Sequence, residues 1–326
     1  MQALVVEKAN GPFLLSDMPV PAIHAHEVLV RVQASGVNPL DIKIRGGNAA
    51  HARVEFPAVL GMDLAGVVEE VGSAVTAFQR GDEVFAMGGG IGGLQGSLAT
   101  HIAVDQDLLA LKPKNLSMRE AAALPLSFIT AWEGLVDRAR VRAGQKVLVH
   151  AGAGGVGHIV VQIAVARGAQ VFATASREKL KIVENYGATA IDYHERSAES
   201  YVADYTGSEG FDMVYDTVGG PTLDDSFAAA RIYTGHVVSC LGWGMHKLAP
   251  LSFRGATYSG VFTLLPMLSG NGRAHHGEIL REAAKLAEAG KLAPLLSADR
   301  FTFATVTEAH AAVASGKTLG KVVVEI

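Results

Sequence analysis

Apolar and polar positions in the first 120 residues come in short bursts. EVLVRVQASG (27–36), DLAGVVEEVG (63–72), DEVFAMG (82–88) and SLATHIAV (97–104) run or alternate apolar for a few residues and stop at a turn former, the pattern of half-buried strands. This stretch predicts a compact, mostly β domain. From about residue 124 strand and helix alternate: KVLVHA, then VGHIVVQIAVARG; AQVFATA, then EKLKIVENYG; ATAID, a short polar helix and FDMVYDTVG; then PTLDDSFAAARIY and GHVVSCLG. Such alternation predicts parallel strands joined by helical crossovers, an α/β doubly wound sheet. Near residue 265 the pattern relaxes into one long helix, EILREAAKLAEAG, and ends on the apolar strand KVVVEI, which is expected to return to the first domain. The boundaries predicted are 1–123, 124–267 and 268–326.

Composition narrows the partner. The 326 residues are 49% hydrophobic and carry 28 basic against 32 acidic side chains, with no like-charged run of the kind that marks a nucleic-acid or anionic membrane face. A small molecule or a second copy of the chain is the expected partner. No apolar stretch approaches the ~18 residues of a membrane span, and the start lacks the blocks of a signal peptide, so a cytoplasmic protein is expected. Cys240 is the only cysteine, which excludes an internal disulfide and a thiolate metal cage.

Two stretches satisfy the spacing G-x-G-x-x-G: MGGGIGGLQGS (87–97) and AGAGGVG (151–157). The motif has meaning only between a strand and a helix, where bare backbone amides and the helix dipole face a pyrophosphate. Gly152, Gly154, Gly155, Val156 and Gly157 meet that condition, because KVLVH precedes them and a helical run follows. The run at 88–93 leads into another strand and fails it. An NAD site places Asp or Glu at the end of the second strand; here that place reads Ala175, Ser176, Arg177, with Lys179 beyond. A hydroxyl and two cations suit a 2′-phosphate, so the cofactor expected is NADP(H).

The stretches GVNPLDIKIRGG (36–47), FPAVLGMDLAGVVEEVG (56–72), GDEVFAM (81–87), LPLSFITAWEGL (124–135), AGAGGVG and GKTLGKVVV (316–324) together resemble the medium-chain dehydrogenase/reductase superfamily, and within it the zinc-independent quinone oxidoreductases. The resemblance spans nearly the whole chain. It implies a GroES-like β domain built from both chain ends, a Rossmann domain between them, and a nicotinamide in the cleft. It further implies Gly154, Gly155 and Val156 at the pyrophosphate, and Ser176, Lys179 and Tyr193 at the adenosine phosphate. Leu241, Gly242 and Phe262 would stand at the nicotinamide carboxamide, with Asn38 and Thr130 beside the reactive ring. A homodimer paired through edge strands at 236–263 is also implied, and residues 88–96 are expected to form a mobile flap at the substrate mouth.

Where zinc-dependent relatives carry ligands, this sequence has Asn38-Pro39, Gly61-Met62-Asp63 and Leu126. A catalytic zinc needs at least three protein ligands, mostly nitrogen or sulfur. No metal is therefore expected, and the chemistry left is hydride addition from NADPH to a quinone or an α,β-unsaturated carbonyl, substrates activated by their own conjugation. The tyrosine that several relatives carry after N-P-x-D is replaced by Ala49. His51, Lys43 or solvent would then deliver the proton, which slightly favours quinone reduction over an enoyl-thioester substrate. A dinucleotide-binding sensor with little turnover stands as the alternative.

Overall fold

The computed structural model describes all residues, 1–326, and divides into two compact units, Met1–Ile129 with Leu264–Ile326, and Thr130–Thr263.

The first unit is a β structure organised on one long strand, Glu27–Val37, which pairs antiparallel with Asp63–Val71, His101–Asp105 and Val322–Glu325. The terminal strand sets Val323 opposite Gly36, so the apolar run KVVVEI does return to the unit that opens the chain. A small antiparallel sheet of Leu14–Asp17, Gln2–Val6 and Ala58–Val59 completes it.

The two ends of the glycine run expected as a flap are packed, and only its tip at Gly92 and Gly93 is exposed. Met87 to Ile91 are buried, and backbone hydrogen bonds run from the Gly88 amide to Met62 O, from Gly92 to Ala52 O and from Gly96 to Val59 O. A Cβ on Gly89 would lie 1.7 Å from Gln95 O, and one on Gly96 would lie 2.2 Å from Leu60 O. Glycine is required there because backbone meets backbone too closely for any side chain, whereas a flap would need an unpaired, solvated backbone.

The second unit holds six parallel strands: β1 (Lys146–Val149), β2 (Gln170–Ala175), β3 (Thr189–Asp192), β4 (Met213–Asp216), β5 (His236–Ser239) and β6 (Thr257–Gly260). Their order is β3-β2-β1-β4-β5-β6, all neighbours parallel. This is the doubly wound order, with its switch point between β1 and β4. Helix α1 (Gly157–Ala166) is buried from Gly157 to Ala164, apolar all round except for His158 and Gln162, whose side chains are bonded to the carbonyls of Gly154 and His158. Helices α2 (Leu180–Asn185), α3 (Ala198–Thr206) and α4 (Pro221–Ala229) follow β2, β3 and β4. Phe211, Val214, Leu223 and Phe227 are buried in one cluster with Leu148 and Val237, each large side chain contributing roughly 1.5–3 kcal/mol of burial. The ladder therefore presents the carboxyl ends of six strands along one rigid edge.

Candidate functional site

At the carboxyl edge of the parallel sheet, the turn from β1 to α1 is tied down on its strand side. The Ala151 amide donates to Thr174 Oγ1 at 3.1 Å and the Gly152 amide to Thr174 O at 2.8 Å. Ala151 takes φ 55°, a left-handed conformation that these bonds hold against its strain. A Cβ on Gly157 would fall 2.1 Å from Ala151 O, and one on Gly152 would fall 2.6 Å from Ala173 Cβ, so those glycines let helix and strand approach. Hydrogen bonding into the helix begins where His158 donates to Gly154 O at 3.1 Å. The amides of Gly155, Val156 and Gly157 thus lie ahead of the first helical bond, at the electropositive end of α1.

The end of β2 carries the other predicted group. Ser176 Oγ donates to Glu178 Oε1 at 2.6 Å, Arg177 Nη1 pairs with Glu195 Oε1 at 3.2 Å, and the Lys179 amide bonds Ser176 O at 2.8 Å. Tyr193, half exposed after β3, reaches the same place through its amide, 3.4 Å from Ala175 O. After β5, Leu241 and Gly242 are held by a chain that starts at buried Asp216. Its carboxylate accepts from the amides of Val218 and Gly219 at 3.0 Å and from Ser239 Oγ at 2.6 Å; Ser239 Oγ in turn accepts from the Leu241 amide at 3.0 Å. Thr130, buried, meets Thr263 Oγ1 at 3.1 Å, and its carbonyl accepts from Tyr215 Oη at 2.6 Å. Phe262 follows β6 and stacks edge-on with Trp243. His150, at the end of β1, is buried with its Nε2 unpartnered, and burial pushes its imidazole down to about 4 against the pull of Asp216. A neutral imidazole beside the glycine turn adds no charge there.

Asn38 belongs to the first unit, where it is fully buried. Its Nδ2 donates to Asp63 Oδ2 at 2.9 Å, its Oδ1 accepts from Lys321 Nζ, and its amide N–H donates to Asp41 Oδ2 at 2.8 Å. Asp63 Oδ1 accepts from the Leu126 amide at 2.8 Å. Burial raises the Asp63 carboxyl and lowers the Lys321 ammonium, each opposed by the other's charge at 3.8 Å. With both ends of its amide engaged, Asn38 acts on its surroundings through Asp63 and Lys321. Ala49, at the place where the resemblance implies a tyrosine, is buried.

Residues 186–324 match the family described as zinc-binding dehydrogenase, and residues 24–114 match the alcohol dehydrogenase GroES-like domain. The chain is 37% identical to the 2-methylene-furan-3-one reductase of Solanum lycopersicum, over 95% of this chain and 74% of that protein. It is also 37% identical to the chloroplastic NADPH-dependent alkenal/one oxidoreductase of Arabidopsis thaliana, over 99% and 79%. The chain belongs to the medium-chain dehydrogenase/reductase superfamily. Among solved structures of this superfamily, an alcohol dehydrogenase superfamily protein from Novosphingobium aromaticivorans superposes with a TM-score of 0.98 at 55% identity, covering 100% of this chain and 99% of that one.

For a medium-chain dehydrogenase/reductase the metal question has a specific answer in these residues. The three places that resemble zinc-ligand positions supply Asn38, whose amide is committed, Met62, which is buried and apolar, and Leu126, which offers only its backbone amide to Asp63. Nowhere do three His, Cys, Asp or Glu side chains converge as ligands. The donor set does not fit a catalytic zinc, and the buried cation beside Asp63 is Lys321. The dinucleotide is different. The amides at the start of α1 and the cations after β2 fit a pyrophosphate and a phosphate.

Sequence reasoning passed over Asp216, Lys321 and Glu178. An acid that ends an apolar strand, as in MVYD, is the signal that would have found Asp216. Lys321 gives none, since its partner Asn38 lies 283 positions away.

Proposed function

We propose that this chain is an NADPH-dependent, zinc-independent oxidoreductase that adds hydride to the electron-poor carbon of an α,β-unsaturated carbonyl or a quinone. The observation that carries this reading is the strand-end array of the second unit, with open helix amides after β1 and Ser176, Arg177 and Lys179 after β2. Bound there, NADPH supplies the hydride. Gly154, Gly155, Val156 and Gly157 bind its pyrophosphate with backbone amides, and Ser176, Arg177, Lys179 and Tyr193 bind the adenosine end. Leu241 and Gly242, fixed through Ser239 by Asp216, and Phe262 and Thr130 orient the nicotinamide. Asn38 holds its own loop in place through Asp63 and Lys321.

The residue that protonates the product is drawn from His51, Lys43 or solvent. Relatives named for conjugated carbonyl substrates stand beside others named quinone oxidoreductase, which supports keeping both arms of the reading. The segment 124–267 is read as the dinucleotide-binding module. A homodimer is part of the reading: β6 is an edge strand of its sheet, and the exposed Tyr233, Phe253 and Met245 lie in the segment around it, so a second copy pairing there would cover an open edge. No helix is long and apolar enough to cross a membrane, and a cytoplasmic site of action is proposed.

The test is NADPH oxidation against a panel of enals, enones and 9,10-phenanthrenequinone, with and without EDTA. Turnover unaffected by chelator, with the enones or the quinone, is expected. Chelator-sensitive activity on alcohols would overturn it, and tight NADPH binding without turnover on any acceptor would move the protein to the sensor reading. Light scattering tests the dimer; a mass of one chain removes it.

A further inference from the structure

The end of β2 lacks an acid in sequence, yet the structure brings one back. Glu178 folds onto Ser176, whose hydroxyl donates to its carboxylate at 2.6 Å. Ser176 stands at the N-cap of the short helix Arg177–Lys179 but makes no side-chain capping bond; its hydroxyl is turned toward the carboxylate. Glu178 is solvent-exposed, and the Ser176 hydroxyl, then a backbone amide and the charges of Lys179 and His194, hold its carboxyl below the usual range. The carboxylate is therefore ionised at neutral pH and free to exchange partners. Beside it, Arg177 is already paired with Glu195 at 3.2 Å, both side chains largely in water. Arg177 is thus paired with one carboxylate and Lys179 lends its charge to the other, at the place assigned to the adenosine ribose. A ribose 2′-hydroxyl can donate to a carboxylate, whereas a 2′-phosphate is repelled by it and must displace it from Ser176.

We propose that Glu178 is a cofactor-selectivity residue: its carboxylate on Ser176 accepts the ribose hydroxyl of NADH, and a 2′-phosphate displaces it, so that the protein uses both dinucleotides. The inference rests on the assignment of the β2 end to the adenosine ribose. Glu195 acts in the same direction by occupying Arg177, and its effect is smaller because it contributes no acceptor at Ser176.

The experiment measures kcat/KM for NADPH and NADH with one saturating enone in the wild type, Glu178→Gln and the double variant Arg177→Ala/Lys179→Ala. Glu178→Gln keeps the side-chain volume and an oxygen for Ser176, and the exposed position makes an unchanged melting temperature the expected control. It should lower kcat/KM for NADH roughly tenfold, the loss of one charged hydrogen bond, and raise that for NADPH several-fold, both through KM with kcat unchanged. A shift that is equal for the two cofactors, or that moves kcat instead of KM, overturns the inference and leaves Glu178 as a helix-end residue. The double variant separates the failures. If it weakens NADPH selectively while Glu178→Gln does not discriminate, the ribose assignment stands and only the inference falls; if neither discriminates, both fall.

Discussion

Lys321 and Arg177 are both cations set beside a carboxylate, yet the Lys321 side chain is 5% exposed and its partner Asp63 is fully buried, while Arg177 and Glu195 are 80% and 62% exposed. A buried pair has given up its hydration, so removing one member strands the other. An exposed pair in water is worth ~0–1 kcal/mol and can trade its partner for a ligand. The first unit therefore uses charge to hold itself together, and the second keeps charge available. The glycine runs differ in the same way: Gly88 to Gly90 and Gly96 are closed by packing, while 151–157 packs at Gly152 and Gly157 but leaves Gly155 exposed at a helix start.

The largest effect is expected where that contrast is sharpest. Lys321→Met removes the cation beside the buried Asp63, whose carboxyl must then remain an uncompensated charge or take up a proton, and this should destabilise the protein by about 3–5 kcal/mol in urea unfolding. Adding Asp63→Asn should recover much of the loss. A single-variant effect below ~1 kcal/mol would show that the ion pair does not organise the unit.

Next comes Asp41, buried in the same cluster with its carboxyl pushed up to about 7, chiefly by burial, with Asp63 raising it further and Lys321 and the Asn38 bonds opposing. A carboxyl whose folded pKa exceeds its unfolded value stabilises the fold fully below about pH 4 and loses that contribution as pH rises through 7. Asp41→Asn cannot ionise. Its stability relative to wild type should rise by roughly 3 kcal/mol between pH 4 and pH 7. His150 and His310, both lowered to about 4 by burial, act in the opposite sense, stability from them falling as pH drops from 6.5 toward 4, but they are common to both proteins and cancel in the difference. A constant difference across this range would place the Asp41 carboxyl in its ordinary range.

The glycine runs give a smaller and more selective pair of effects. Gly89→Ala and Gly157→Ala both drive a Cβ into a backbone carbonyl, at 1.7 and 2.1 Å, and each should destabilise by ~1–3 kcal/mol. Only Gly157→Ala should also weaken NADPH binding, measured by calorimetry on the folded variant. Equal losses of affinity would make the 88–96 loop part of the dinucleotide site after all.

How much of this was legible in sequence follows from the range of each interaction. The parallel sheet was readable because a strand, a glycine turn and a helix are contiguous: KVLVHAGAGGVGHIVV states the element, its turn and its packing within sixteen residues. The run at 88–96 could be denied a phosphate on the same local grounds, since no helix follows. Its true role was not readable, because glycine for freedom and glycine for close approach look alike until Gln95 O and Leu60 O are placed in space. Asn38 was found as a candidate, while its link to two partners was missed, since Asp63 joins it through the pairing of Asp63–Val71 with Glu27–Val37 and Lys321 only through that of Val322–Glu325 with the same strand. Glu178 was passed over because an acid was sought at the strand end itself, and only the fold of the next turn returns its carboxylate to Ser176.

The smallest effect on stability, and a decisive one on binding, belongs to Arg177→Ala/Lys179→Ala. Arg177 loses one exposed pair with Glu195, so unfolding free energy should change by less than ~0.5 kcal/mol. The apparent KM for NADPH should nonetheless rise about tenfold or more, because a phosphate loses two charge-assisted donors, while that for NADH should change little. Salt gives an independent reading: raising ionic strength should weaken NADPH binding in the wild type more than in the variant, since screening acts on the interaction the variant lacks. A variant that melts well below the wild type, or that loses both cofactors alike, would mean that these cations hold the β2 end together as Lys321 holds its own unit, and the contrast between the two units would disappear.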